Sequence, residues 1–113
     1  MICERLAVVV VPFPFTDSPA AKRRPAVVLS SQSFNERNCH SVMAMVTSAT
    51  EPTWTGDAVV TDLLTAGLNV RCIVRLKLFT LDNRLIIKTI GHLAPKDADS
   101  VIAGLRDCLG VTI

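Results

Sequence analysis

The sequence predicts a mainly β protein: a small, strongly curved β-barrel or sandwich capped by a C-terminal α-helix. Three observations carry this. Short β-branched and apolar runs recur between Leu6 and Gly91, separated by polar or Pro/Gly-containing connections. After Leu93 the apolar residues change to three- and four-residue steps. The chain has 113 residues, half of them apolar and only 19% charged, which suits one core and predicts residues 1–113 as a single domain.

The elements follow in order. Leu6 to Val11 is a β-branched run, expected as a strand buried on both faces. Pro12 and Pro14 remove ladder donors and end it or place it at an edge. Thr16 to Arg24 reads as a loop carrying the basic triplet Lys22-Arg23-Arg24. Ala26–Ser30 is a second strand, Ser31 to Asn38 a polar connection, and Ser41–Thr47 a third strand. Ser48 to Gly56 is a loop with Pro52 and Trp54, and Asp57–Thr61 is short and strand-like. Asp62–Gly67 reads as one helical turn closed by glycine. Arg71–Leu76 and Leu85–Gly91 are further strands. Ala98, Val101, Ile102, Leu105 and Leu109 form the apolar stripe of a helix from Pro95 to Leu109, with Pro95 suited to its first position and Gly110 to its exit.

Composition excludes several classes. The longest apolar run, Leu6 to Phe15, is about half of what a membrane-spanning helix needs and contains two prolines. The N-terminus lacks the pattern of a secretory signal, so a cytoplasmic protein without membrane association is expected. Cys3, Cys39, Cys72 and Cys108 lie 36, 33 and 36 residues apart and form no CxxC, so they read as small buried hydrophobes. No HExxH, GxSxG, P-loop or paired-carboxylate spacing is present, and neither metal nor cofactor is implied. His40 and His92 each sit at the edge of an apolar run and read as surface or half-buried residues.

The net charge of +2 points to no partner by itself. Its distribution is more telling: Arg71 to Lys88 holds five bases and one acid, while the rest of the chain holds seven bases and nine acids. Taken alone, this segment and the Lys22–Arg24 triplet read as solvated surfaces; brought together by a fold, they would form a phosphate-binding face. Pro25 holds Arg24 extended at a strand mouth, where a guanidinium can grip a phosphate through two parallel bonds. Thr47 and Ser48 end the next strand, and a hydroxyl there could orient an attacking group. On spacing alone, Arg24 reads equally well as a loop residue and Thr47 as an ordinary strand residue.

A series of blocks adds to this. Val10-Val11-Pro12-Phe13-Pro14-Phe15-Thr16-Asp17, then Arg23-Arg24-Pro25-Ala26-Val27-Val28-Leu29-Ser30, then Met45-Val46-Thr47-Ser48, resemble the MazF/PemK (Kid) toxin family in that order. So do Gly56-Asp57 with Asp62–Leu68, Val74–Asp82, and Ile90–Leu93 before the terminal helix. The chain departs from the family pattern where Leu6-Ala7 replace its usual Gly-Asp, and where Arg75-Leu76-Lys77-Leu78 is one residue short. The resemblance implies an SH3-like (CcdB/Kid/MazF-like) β-barrel and a homodimer. It implies a metal-independent endoribonuclease that cuts single-stranded mRNA at a short sequence and is held by a cognate antitoxin. It implies Arg24 and Thr47 as catalytic residues, with Lys22, Arg23, Ser48, Arg75 and Lys77 on the RNA and the antitoxin docked over the basic loops. The alternatives are a non-catalytic DNA gyrase poison of the CcdB kind, whose C-terminal Trp-Gly-Ile is replaced here by Gly110-Val111-Thr112-Ile113, and a degenerate antitoxin-binding module.

Overall fold

The first β-branched run becomes strand β1 (Ala7–Pro12), which starts after Leu6 because Leu6 takes a left-handed φ of 73°. Val8, Val9 and Val11 are fully buried, as a strand covered on both faces requires. The structure is a computed structural model and describes residues 1–12, 22–48 and 51–112. Phe13, Pro14, Phe15, the expected loop from Thr16 to Ala21, and Ala49 and Thr50 lie outside the described residues.

Strand β2 (Arg23–Val28) starts earlier than expected, because pairing of Pro12 with Arg23 and Val11 with Arg24 carries the ladder across the basic pair. The expected connection Ser31–Asn38 is instead helix α1 (Gln32–Asn38). Ser31 Oγ accepts the Phe34 N–H at 3.1 Å, and Cys39 ends the helix at φ 55°. This helix buries Asn35 rather than an apolar stripe, so it left no 3.6-residue signal. Strand β3 (His40–Thr47) lies close to expectation, whereas β4 (Ala58–Val59) is only two residues long. Helix α2 (Leu63–Ala66) is the expected single turn: Asp62 accepts from Thr65 N at 3.0 Å and Gly67 closes it at φ 73°. Strand β5 (Ile73–Asp82) runs well past Leu76, its expected end. A 3-10 turn at Asn83–Leu85 takes the start of the next expected strand, leaving β6 (Lys88–His92). Helix α3 (Pro95–Leu109) has the expected bounds and ends at Gly110 with φ 66°.

The strands form one antiparallel sheet in the order β4-β5-β3-β2-β1-β6, curled into a half-barrel. Helix α2 lies against the far edge of this curl. A Cβ on Gly91 would come within 2.5 Å of Ala66 C and Thr65 O, and one on Gly67 within 2.0 Å of Ile90 O, so the α2 backbone packs directly on β6. The core occupies both sheet faces. On one, Val8, Val27, Ala44, Val46 and Val74 meet Val101 and Leu105 of α3. On the other, Val9, Val11, Ala26, Val28 and Met43 meet Cys3 and Ile86. Half of the cysteine expectation holds: Cys3 and Cys72 are buried, but Cys39 and Cys108 are exposed, and all four are free thiols.

Two buried polar groups tie segments together. The amide of Asn35 donates to Cys3 O at 2.9 Å, and Asn83 donates to Asn35 O at 2.8 Å while accepting from Ser41 Oγ at 2.6 Å. Asp97 of α3 accepts from Thr61 N, Thr61 Oγ1 (2.7 Å) and Asp62 N (3.0 Å). Burial pushes the Asp97 carboxyl up, yet these hydrogen bonds outweigh it and hold it below the ordinary carboxylate value.

Candidate nucleic-acid interface

Strands β2 and β3 pair through Ala26–Met45, Val27–Ala44 and Val28–Met43. The pairing ends at Ala26–Met45; carried two and three residues further along both strands, this register sets Arg24 opposite Thr47 and Arg23 opposite Ser48. Directly opposed residues share a sheet face. Arg24, Ala26, Met45 and Thr47 therefore lie on one face, and Arg23, Pro25, Val46 and Ser48 on the other. Arg24 is exposed and Thr47 half-buried. Pro25 lacks an N–H, and next to it Arg24 is kept extended, as its place in β2 shows.

A depression of about 250 Å³ opens beside these strand ends. Arg23, Arg24, Pro25, Val46 and Ser48 line one wall, and Leu68–Val70 with Cys72 the other. Thr47 does not line it, whereas Arg24 does. Lys22 is exposed immediately before β2. The two basic segments stay one strand apart, because β3 lies between β2 and β5 in the sheet.

Arg75 has a different environment from the one its charge suggested. It sits on β5 opposite Met45, so it shares the face of Arg24 and Thr47. Its guanidinium makes a two-point pair with Asp57, Nε to Oδ1 at 3.1 Å and NH2 to Oδ2 at 2.8 Å, and also donates to Thr53 Oγ1 at 2.9 Å. The Asp57 side chain is fully covered, and the hydrogen bond from Arg75 brings its carboxyl down to about 2. Asp57 Oδ2 also accepts from the backbone N–H groups of Thr53 and Trp54, at 2.9 and 3.0 Å. Arg75 lies under the Trp54 indole, its guanidinium carbon 5.4 Å from the ring centroid. The fork that could hold a phosphate is thus used to hold the loop before β4.

Lys77 lies where the β3–β5 register shifts. Ala44 pairs with Leu78 and Met45 with Arg75, leaving Leu76 and Lys77 as a bulge on β5. Leu76 is buried in the core, and Lys77 is half-buried. Arg84 pairs with Asp82 at 2.8 Å, so Arg84, like Arg75, is matched by an acid. The histidines stay at the periphery: both are exposed, and His92 lies 3.2 Å from Glu4.

Asp57 and Trp54 are the residues whose roles sequence reasoning missed. A signal existed for each: a carboxylate directly after Gly56, and the sole tryptophan of the chain in a turn-forming segment. What they contact depends on β5, which no local pattern brings to the loop.

A family model described as the PemK-like, MazF-like toxin of type II toxin–antitoxin systems matches residues 4–109. No curated protein matches the chain by sequence. Among solved structures, a MazE–MazF complex from Deinococcus radiodurans superposes with a TM-score of 0.78 at 20% identity, over 99% of this chain and 100% of that one. An endoribonuclease in complex with its cognate antitoxin, from a mycobacterial species, superposes with a TM-score of 0.75 at 12% identity, over 99% and 97% of the two chains. The Mycobacterium tuberculosis toxin MazF-mt6 does so with a TM-score of 0.74 at 15% identity, over 95% and 99%. At these identities the structural likeness concerns the fold, and the family assignment rests on the near full-length match: the chain belongs to the PemK-like, MazF-like toxins of type II toxin–antitoxin systems.

Proposed function

We propose that this toxin is an endoribonuclease that cuts single-stranded RNA without a metal, with Arg24 and Thr47 as its catalytic pair. The observation that supports the reading is the β2–β3 register, which pairs Ala26 with Met45 and, carried two residues further, sets Arg24 opposite Thr47 at one end of the sheet. Both groups can converge on one phosphate. The 2′-hydroxyl attacks the adjacent phosphorus, the bond to the 5′-oxygen breaks, and the products are a cyclic phosphate and a 5′-hydroxyl. Thr47 orients the 2′-hydroxyl. Arg24 neutralises the charge that builds on the phosphorane oxygens. No strong general base adjoins the pair among the described residues, since His40 and His92 lie elsewhere, so positioning supplies most of the rate. Lys22, Arg23 and Ser48 hold neighbouring phosphates along the strand ends, with Lys77 further along the same surface. Arg75 contributes by fixing the Thr53–Asp57 turn.

The family description and the complexes among the structural neighbours support a cognate antitoxin as partner. We extend the reading to a homodimeric, cytoplasmic protein whose single domain spans the chain; no helix among the described residues is long and apolar enough to cross a membrane. The test is cleavage of single-stranded RNA by purified protein in the presence of a chelator. Arg24→Ala should lower the rate about 100- to 1000-fold with the fold intact. Cleavage by Arg24→Ala at the wild-type rate would overturn the site.

A further inference from the structure

We infer that Trp54 is a stacking platform for an unpaired base of the RNA substrate. This rests on the ribonuclease reading and adds to it a residue that binds and selects substrate.

Three observations lead there. The indole is 46% exposed, a costly position for the largest side chain in an aliphatic protein with few aromatics. It is also held in place. Trp54 O accepts from Asp57 N at 3.1 Å across a turn in which Gly56 has φ 91°, the conformation that a type II turn requires at its third residue. Asp57 grips the backbone of Thr53 and Trp54 and the guanidinium of Arg75, and that guanidinium stacks on the ring. A ring fixed in this way loses little entropy when a second flat group stacks on it.

The third observation is placement. Arg75 is the cross-strand neighbour of Met45, two residues before Thr47 on the same face. Strand spacings of about 5 Å and a two-residue step of about 7 Å separate the supporting arginine from the Arg24–Thr47 row. A base next to the scissile phosphate can therefore reach the indole. The covered Asp57 carboxylate balances Arg75, so the platform neither repels nor traps the backbone phosphates. Bases have flat faces that stack on aromatic rings, and such contacts recur where proteins hold single-stranded RNA.

Trp54 is the only tryptophan, so its fluorescence reports directly on this position. The probe is a mixed-sequence 2′-O-methyl RNA, which lacks the attacking hydroxyl and is not cut. Titration into the full-length protein should quench the emission. Trp54→Ala should weaken binding, read by anisotropy of the labelled RNA, about tenfold to a hundredfold, and Trp54→Phe should recover most of it. On cleavable RNA, Trp54→Ala should raise KM in proportion with kcat nearly unchanged. If the wild type cleaves RNA but its emission is unchanged on binding and Trp54→Ala binds as tightly, the platform is wrong and the ribonuclease reading stands. If Trp54→Ala loses antitoxin binding while RNA binding is unchanged, the ring is a protein contact and the inference falls. If the folded wild type neither binds nor cleaves any RNA, the ribonuclease reading falls and takes this one with it.

Discussion

Arg24 is used for its shape as much as for its charge. A planar fork can bond two phosphate oxygens at once, and an ammonium cannot, so Arg24→Lys should recover little of the activity lost in Arg24→Ala. Thr47→Val keeps the volume and deletes the hydroxyl, so the cleavage rate should fall severely in single-turnover kinetics. His40→Ala and His92→Ala, both far from this row, should cleave nearly as the wild type does. A second residue-scale expectation concerns Asp57. Its carboxyl is down to about 2 in the fold against 3.8 unperturbed, mainly because Arg75 bonds it. Between those values the unfolded chain binds more protons than the folded one. Stability is therefore fully present above about pH 5 and falls as pH drops through 4 towards 2, by about 2 kcal/mol from this group. Denaturant titrations across this range should show the loss in the wild type and a smaller one in Asp57→Asn, which is already destabilised at neutral pH.

At the scale of elements, two contacts hold the helices to the sheet. Helix α2 sits on β6 through glycines that face backbone. Gly91→Ala would push a methyl group within 2.5 Å of the Ala66 carbonyl carbon, and neither partner is a flexible side chain. Thermal unfolding should show a loss of several kcal/mol, at the upper end of what overpacking costs (about 1–3 kcal/mol) or beyond it. Helix α3 is moored by Asp97, which satisfies two backbone N–H groups and a hydroxyl of the β4–α2 connection. Asp97→Ala leaves those donors without their carboxylate and should cost about 3 kcal/mol in chemical denaturation, whereas substitution of the exposed Asp99 should cost little.

For the whole molecule, the charge pattern matters more than the net charge. Lys22, Arg23 and Arg24 cluster at one end of the sheet, with β3 between them and β5. An acidic antitoxin segment folding over that end would block the RNA path, so Arg23→Glu with Lys77→Glu should weaken antitoxin binding in calorimetry and make it less salt-sensitive. A homodimer predicts a sedimentation mass twice that of the 12.2 kDa chain at micromolar concentration. A monomer there would refute the homodimer.

Local pattern by itself determined the elements whose signals are short-range. Strand β1 follows from a valine run, α2 from an aspartate just before its one turn and a glycine just after it, and α3 from a stripe between a proline and a glycine. Helix α1 escaped because it buries an asparagine. The extent of β5 and β6 escaped because a bulge and a 3-10 turn are settled by pairing partners. For the candidate site, the residue types were legible through an ordered set of motifs, but their geometry was not. Arg24 is set opposite Thr47 only by carrying the β2–β3 register past Ala26–Met45, and a slip of one residue would turn either side chain to the opposite face. Tertiary structure alone also decided that Arg75 is held by Asp57 beneath Trp54: charges read along a chain show where a cation is, but the carboxylate it meets across the sheet comes from a segment 18 residues away.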